Sequence, residues 1–176
     1  ADDINDFEIE GMSIGDSLLD FFSKDEIEQN KYYAYPNKSY FQTFFLLPKS
    51  DNYNGIQFSI KDGDTNFIIA SIEGGIHPIN FTKCKQKKNK IENEIKSIFN
   101  NIEIDYQKEK PMRSDPTGLS IAITSNFLFG KTFTDGPAIR VMCVDRSKQQ
   151  EDEKGYVDSL RVVINSKEFN YFLQIN

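Results

Sequence analysis

The sequence predicts an α+β protein, an antiparallel sheet with helices packed on one face. Three observations carry that expectation. Apolar residues alternate in short runs, as in Ile56, Phe58 and Ile60, then Ile139, Val141 and Cys143, then Leu160, Val162 and Ile164. That period of two is the mark of strands buried on one side. Asp62-Gly63 follows one such run as a hairpin signal, because glycine accepts positive φ without steric cost. Ile91, Ile95 and Ile98 recur instead at helical spacing, so a helix interrupts the strands. No repeat, low-complexity linker or compositional break divides the 176 residues, and a single α+β domain over 1–176 is expected.

In chain order, Ser13 stands three residues before Asp16, a capping-box-like spacing. Ile14, Leu18 and Phe21 follow at helical intervals, with Leu19 and Phe22 widening the stripe, which predicts a first amphipathic helix. Ser23 and Glu26 repeat the cap for a second short helix that ends near Gln29. Strand character runs over 40–47, again around 56–60, and returns over 67–72. The longest helix is expected over 84–99. Strands follow at 102–106, around 119–124, and at the two valine-rich runs near 141 and 162. Ser166 then caps a closing helix that carries Phe169, Phe172 and Leu173, and 146–155 reads as a charged, turn-rich loop.

Charge narrows the function classes. A net charge of −6 and a pI near 4.9 argue against a general nucleic-acid binder, which needs a positive surface to meet phosphates. The same balance disfavours a polybasic membrane-surface protein. No apolar run approaches the roughly 20 residues of a transmembrane helix, so no membrane insertion is expected. The start, Ala1-Asp2-Asp3, reads as the mature side of a signal-peptide cut, which places the protein in a periplasm or outside the cell. Two cysteines fit that setting. Cys84 lies seven residues before Ile91 on the same helix face, and Cys143 shares a strand face with Ile139 and Val141. A helix lying on the sheet brings them together, so a Cys84–Cys143 disulfide is expected, closing a loop of about 60 residues.

Candidate chemistry is thin. Gly15-Asp16-Ser17-Leu18 resembles the signature block of GDSL-type serine hydrolases, a resemblance that implies Ser17 as nucleophile. Such a serine needs a histidine base and an acid to orient it. His77 is the sole histidine, Gly74 holds the position an Asp-x-x-His motif requires for its acid, and Ser17 falls inside the expected first helix. The reading is therefore non-enzymatic, with no catalytic residue, and a Ser17 hydrolase is the alternative. Asp62, Asp64, Asn66 and Glu73 have the spacing of calcium-loop ligands, yet Phe67 occupies the position that needs glycine. A hairpin with an acidic turn explains them, and neither metal nor cofactor is expected. Residues 83–90, KCKQKKNK, read as the solvated face of the long helix, with Glu92 paired to Lys96. Tyr32, Tyr33, Tyr35 and Tyr40 cluster with Phe41, Phe44 and Phe45, and tyrosine suits half-wet recognition surfaces. These tyrosines, or the open sheet face, are expected to bind another envelope protein or a small ligand.

Four blocks, DINDFEIEGMSIGDSLLDFFSKDEI, FTKCKQKKNKIENEIKSIF, VMCVD and YVDSLRVVINSKEFNYFL, resemble uncharacterised small exported proteins of AT-rich marine bacteria. The resemblance spans nearly the whole chain and implies export and a shared fold, and it includes both cysteine-bearing blocks. The opening IEGMSIGDSLLDFF also looks like the start of small periplasmic α+β domains related to outer-membrane assembly lipoproteins, without their anchoring cysteine.

Overall fold

The computed structural model describes residues 3–176. Among them, eight strands form one antiparallel sheet: β1 (Lys31–Tyr32), β2 (Tyr40–Leu46), β3 (Gly55–Lys61), β4 (Ile69–Ile76), β5 (Glu103–Pro111), β6 (Ile121–Leu128), β7 (Ala138–Asp145) and β8 (Ser159–Asn165). Their order across the sheet is β1-β2-β3-β4-β8-β7-β6-β5. Each half of the chain is thus a four-stranded meander, and β4 pairs with β8 to join the two. Four α-helices complete the fold: α1 (Lys24–Gln29), α2 (Phe81–Ile98), α3 (Lys148–Lys154) and α4 (Lys167–Ile175).

Alternation sets which residues look inward. Phe58, Ile72, Ile164 and Ile139 stand side by side across β3, β4, β8 and β7, and all are fully buried. The expected inner residues of β3, β7 and β8 all belong to this core. It is closed by the N-terminal segment, by α1 through Ile27, and by α2. Ser23 and Glu26 form the expected capping box of α1, each side chain accepting the other's backbone N–H. Asn80 caps α2 by accepting from the Lys83 N–H at 2.9 Å.

The disulfide forms as expected: Cys84 of α2 is bonded to Cys143 of β7, with Cα atoms 5.8 Å apart. Further along α2 the lysine-rich face departs from expectation. Lys88 and Glu92 are 5% and 6% exposed and pair with each other, and both reach Ser125 of β6 on the inner face. Glu92 therefore turns inward to Lys88 rather than along the surface to Lys96. An inner-face serine on β6 supplies the polar partner that lets the ion pair sit dry.

The first expected helix is absent. Residues 13–22 make turns and a short 3-10 segment, Leu18–Asp20. Gly15 has φ +90°, and its N–H donates to the Ile69 carbonyl while Leu18 N–H donates to that of Phe67. Pairing with the β3–β4 connection satisfies the backbone that a helix would have satisfied, and Leu18 is still fully buried. The Ser13–Asp16 contact survives as a turn, with Ser13 N–H donating to the Asp16 carboxylate at 2.8 Å. A second correction concerns 146–155, most of which is α3, capped by Ser147 and ended by Gly155 at φ 65°. The third concerns layering. Tyr40 and Phe41 are successive on β2 and so point to opposite faces; Phe41 joins the main core, whereas Tyr40 packs against Phe169 and Phe172 of α4. Helix α4 therefore lies on the reverse face, not beside α2.

Two outcomes follow for stability. Replacing both cysteines by serine should cost about 4 kcal/mol, since the bridge closes a loop of about 60 residues; the check is the urea midpoint of the variant against the parent. Lys88→Met alone should cost about 3–5 kcal/mol by stranding Glu92, and adding Glu92→Leu should restore most of that loss. A double variant no better than the single would show that the pair itself, not the stranded charge, stabilises the core.

Candidate functional site

The reverse face of the sheet carries a row of polar side chains, paired in three separate groups. Tyr32 of β1 donates from its hydroxyl to Gln57 Oε1 on β3 at 2.6 Å. Arg161 of β8 clasps Glu73 of β4 through Nε and Nη2, both at 2.6 Å. Arg140 Nε on β7 donates to Asn126 Oδ1 on β6 at 2.9 Å, and Asn126 Nδ2 donates to Asp105 on β5 at 3.1 Å. Beside this row, Ser71 donates to Asn165 at 2.6 Å and Gln42 to Ser59 at 3.3 Å.

Over the middle strands of the sheet, β3, β4 and β8, the face opens into a cleft of about 420 Å³. Gln57, Glu73, Gly75, Ser159 and Arg161 form its floor, Phe44 one wall, and Arg146, Tyr156 and Val157 the other. His77 stands at its edge. Gly55 and Gly75 face each other across β3 and β4, and the Phe44 and His77 rings pack close over them. A Cβ on Gly55 would lie 2.8 Å from the Phe44 ring and 3.2 Å from His77 Nε2, so those two rings occupy the room the glycine leaves.

Charge in the cleft is uneven. Glu73 neutralises Arg161 in the bidentate geometry that guanidinium and carboxylate favour. Arg146 makes no ion pair among the described residues. Its Nε is buried without a hydrogen-bond partner, and its Nη1 meets only the Met112 sulfur, at 3.5 Å. The guanidinium carbon lies 5.0 Å from the Tyr156 ring centroid, with Lys154 Nζ 5.8 Å from the same ring. Burial, and then the nearby Arg161, push Arg146 below its ordinary pKa, and the same two causes act on Arg140. Burial works against Arg161 too, but Glu73 outweighs it and the pKa of Arg161 is raised. The tyrosines bordering the row, Tyr32 and Tyr35, are both raised by burial first and by Glu73 second.

Backbone anchors hold the Arg146–Tyr156 wall. Asp158 accepts the Arg146 N–H at 2.7 Å. Asp115 accepts from Thr117 N–H and hydroxyl at 2.9 and 2.8 Å, and from Ser120 N–H and hydroxyl at 2.9 and 2.5 Å. The Ser120 oxygen in turn accepts the Ser147 N–H at 2.9 Å, where Ser147 caps α3. Helix α3 and the Gly155 turn then carry Tyr156 back over the sheet.

Placed on this frame, the sequence candidates scatter. Tyr32 belongs to the polar row, Tyr33 donates to Asp62 at 2.7 Å, Tyr35 is half-buried against Phe172, and Tyr40 is packed under α4. Ser17 is extended, not helical, and its hydroxyl donates to the Asn66 carbonyl at 2.7 Å, outside the cleft that holds His77. The spaced acids are dispersed: Asp62 takes Lys31 and Tyr33, Asp64 accepts the N–H groups of Asn66 and Ile68, and Glu73 takes Arg161. Arg146, Arg161 and Tyr156 were missed by sequence reasoning. One signal pointed to the two arginines, and none to Tyr156: arginine supplies only four of the 21 basic Lys and Arg residues, and Arg140, Arg146 and Arg161 are three of those four.

The Ser120 hydroxyl holds the Asp115 carboxyl well below the usual range against the opposing effect of burial, with Ser147 and Thr117 assisting. A depressed folded pKa means the unfolded chain binds the proton more readily, so the stabilisation is complete above about pH 5 and fades as pH falls below about 4. Asp115→Asn should therefore flatten the acid limb of the stability–pH curve. Urea midpoints between about pH 2 and pH 7 check this, and superimposable slopes for parent and variant would contradict it.

Compared with known proteins, the chain matches no protein-family model, no curated protein and no solved structure.

Proposed function

We propose that this protein is an exported binding domain of the periplasm or the secreted space, non-catalytic, which holds a small ligand in the cleft on the reverse face of its sheet. The observation that carries this reading is the cleft itself. Its volume of about 420 Å³ falls within the range of small-molecule sites, and its make-up matches theirs, with apolar walls and a few convergent polar groups. The walls are preformed: Gly55 leaves the room in which the Phe44 and His77 rings sit, and the Asp115–Ser120–Ser147 relay fixes the opposite side. A preformed site loses less entropy on binding. Export is supported by the Cys84–Cys143 disulfide, since such bonds persist in oxidising compartments. No helix among the described residues is long and apolar enough to cross a membrane.

A thermal-shift screen of amino acids, organic acids, sugars and short peptides tests the reading. A ligand at about 100 times its Kd adds about 2.7 kcal/mol to native stability, which raises Tm by about 5 °C or more in a domain of this size. Tyr156→Ala removes one exposed wall and should abolish the ligand-induced shift while leaving the unliganded Tm within about 1 °C. A hit whose shift survives Tyr156→Ala binds elsewhere, and the cleft loses its role.

A further inference from the structure

Taking the cleft as the binding site, we infer that its ligand is a small organic anion, a single carboxylate on an apolar body, with the carboxylate on Arg146 and the body between Phe44 and Tyr156. The cleft holds two guanidiniums and one carboxylate, and that carboxylate is spent on Arg161 through both of its oxygens. Arg146 is left with a stacked ring, a sulfur contact and an unpartnered Nε. A buried donor without a partner costs free energy that an arriving acceptor recovers. A carboxylate is the acceptor whose two oxygens match the guanidinium fork.

The surroundings define the rest of the ligand. Phe44, Tyr156 and Val157 offer apolar area on both walls, more than a bare inorganic ion would use. Glu73 lies on the same floor, so a dianion would gain a repulsive neighbour as well as an attractive one, which favours a single charge. A cationic ligand would face Arg146 with no free carboxylate to hold it. The residue type fits too. This chain uses lysine for 17 of its 21 basic Lys and Arg residues, yet both strong bases of the cleft are arginine, the one suited to bidentate pairing. The same chemistry is presented by a free arylalkanoic acid and by a peptide ending in an aromatic residue.

The experiment is an NMR titration of the full chain, following the backbone amides of Gly155, Tyr156 and Ser159. The probes are phenylacetate, its neutral amide phenylacetamide, its amine counterpart phenethylamine, and glycyl-glycyl-phenylalanine as free acid and as amide. The acid should bind about tenfold or more tightly than its amide, and the amine most weakly. Arg146→Gln should erase the acid-to-amide ratio while leaving amide affinity in place, and Arg146→Lys should retain part of it. If Arg146→Gln fails to fold, the ratio in the parent protein decides alone. Tighter binding of the tripeptide acid than of phenylacetate assigns a peptide C-terminus as the source, and the reverse assigns a free acid; both support the inference. Equal affinity for acid and amide at these amides overturns the anion preference and leaves the cleft as a ligand site. No shift of them by any probe at about 10 mM overturns both.

Discussion

Glu73 and Arg161 meet across the strand pair that makes one sheet out of two halves. Each meander is built from neighbours in sequence, whereas β4 and β8 are the last strands of the two halves of the chain, and these two side chains are 88 residues apart. Long-range pairing of this kind carries the loop-closure entropy of the fold and needs contacts on both faces to hold its register. On the inner face Ile72 meets Ile164 and Ile76 meets Leu160; on the reverse face Ser71 meets Asn165 and Glu73 clasps Arg161. A slip of one residue would turn isoleucines outward and drive the ion pair into the core. The seam thus states its register twice, once in apolar contacts and once in charge.

The two faces then divide the work. The inner face takes the disulfide and the Lys88–Glu92–Ser125 cluster, both of which tie α2 to the C-terminal meander. With α2 fixed there, the reverse face is free to stay polar along most of its width. Helix α4 covers one region of it with Phe169 and Phe172, and the Gly155 turn with Tyr156 and Val157 borders another. The cleft is what remains between these covers. Its floor is the seam itself, whose Glu73–Arg161 pair is closed on itself, while the unpaired guanidinium of the cleft, Arg146, stands on the wall beside it.

How far the sequence disclosed this depends on how local each signal is. The capping box at Ser23, the cap at Ser166 and the alternation along β3, β7 and β8 are contained within a few residues, and all formed as expected. The cysteine pair was legible because each cysteine sat in phase with an apolar stripe. The helix expected over 13–22 failed for a non-local reason, since its backbone finds partners on Phe67 and Ile69. Burial of Lys88 was equally hidden, because its partner Ser125 lies 37 residues away, just past the strand expected around 119–124. The cleft was the least legible feature. Phe44, Glu73, Arg146, Tyr156 and Arg161 come from five separate segments, and each taken singly is an ordinary surface residue.

An acidic chain that builds a cationic hollow is less contradictory than it sounds. The net charge of −6 is spread over exposed carboxylates, whose field in water fades over about 8 Å at physiological salt. Arg146 is held below such a surface, against a ring and beside Arg161, where its field is screened far less than that of an exposed lysine. Anions therefore gain little from long-range attraction and much from arriving, which makes recognition depend on fit between the walls and not on charge alone. A bare ion has nothing to offer Phe44 and Tyr156, and a neutral apolar body leaves the Arg146 Nε stranded. Under the proposed reading, the two requirements reinforce each other only in a molecule that satisfies both, and that conjunction would be the source of selectivity.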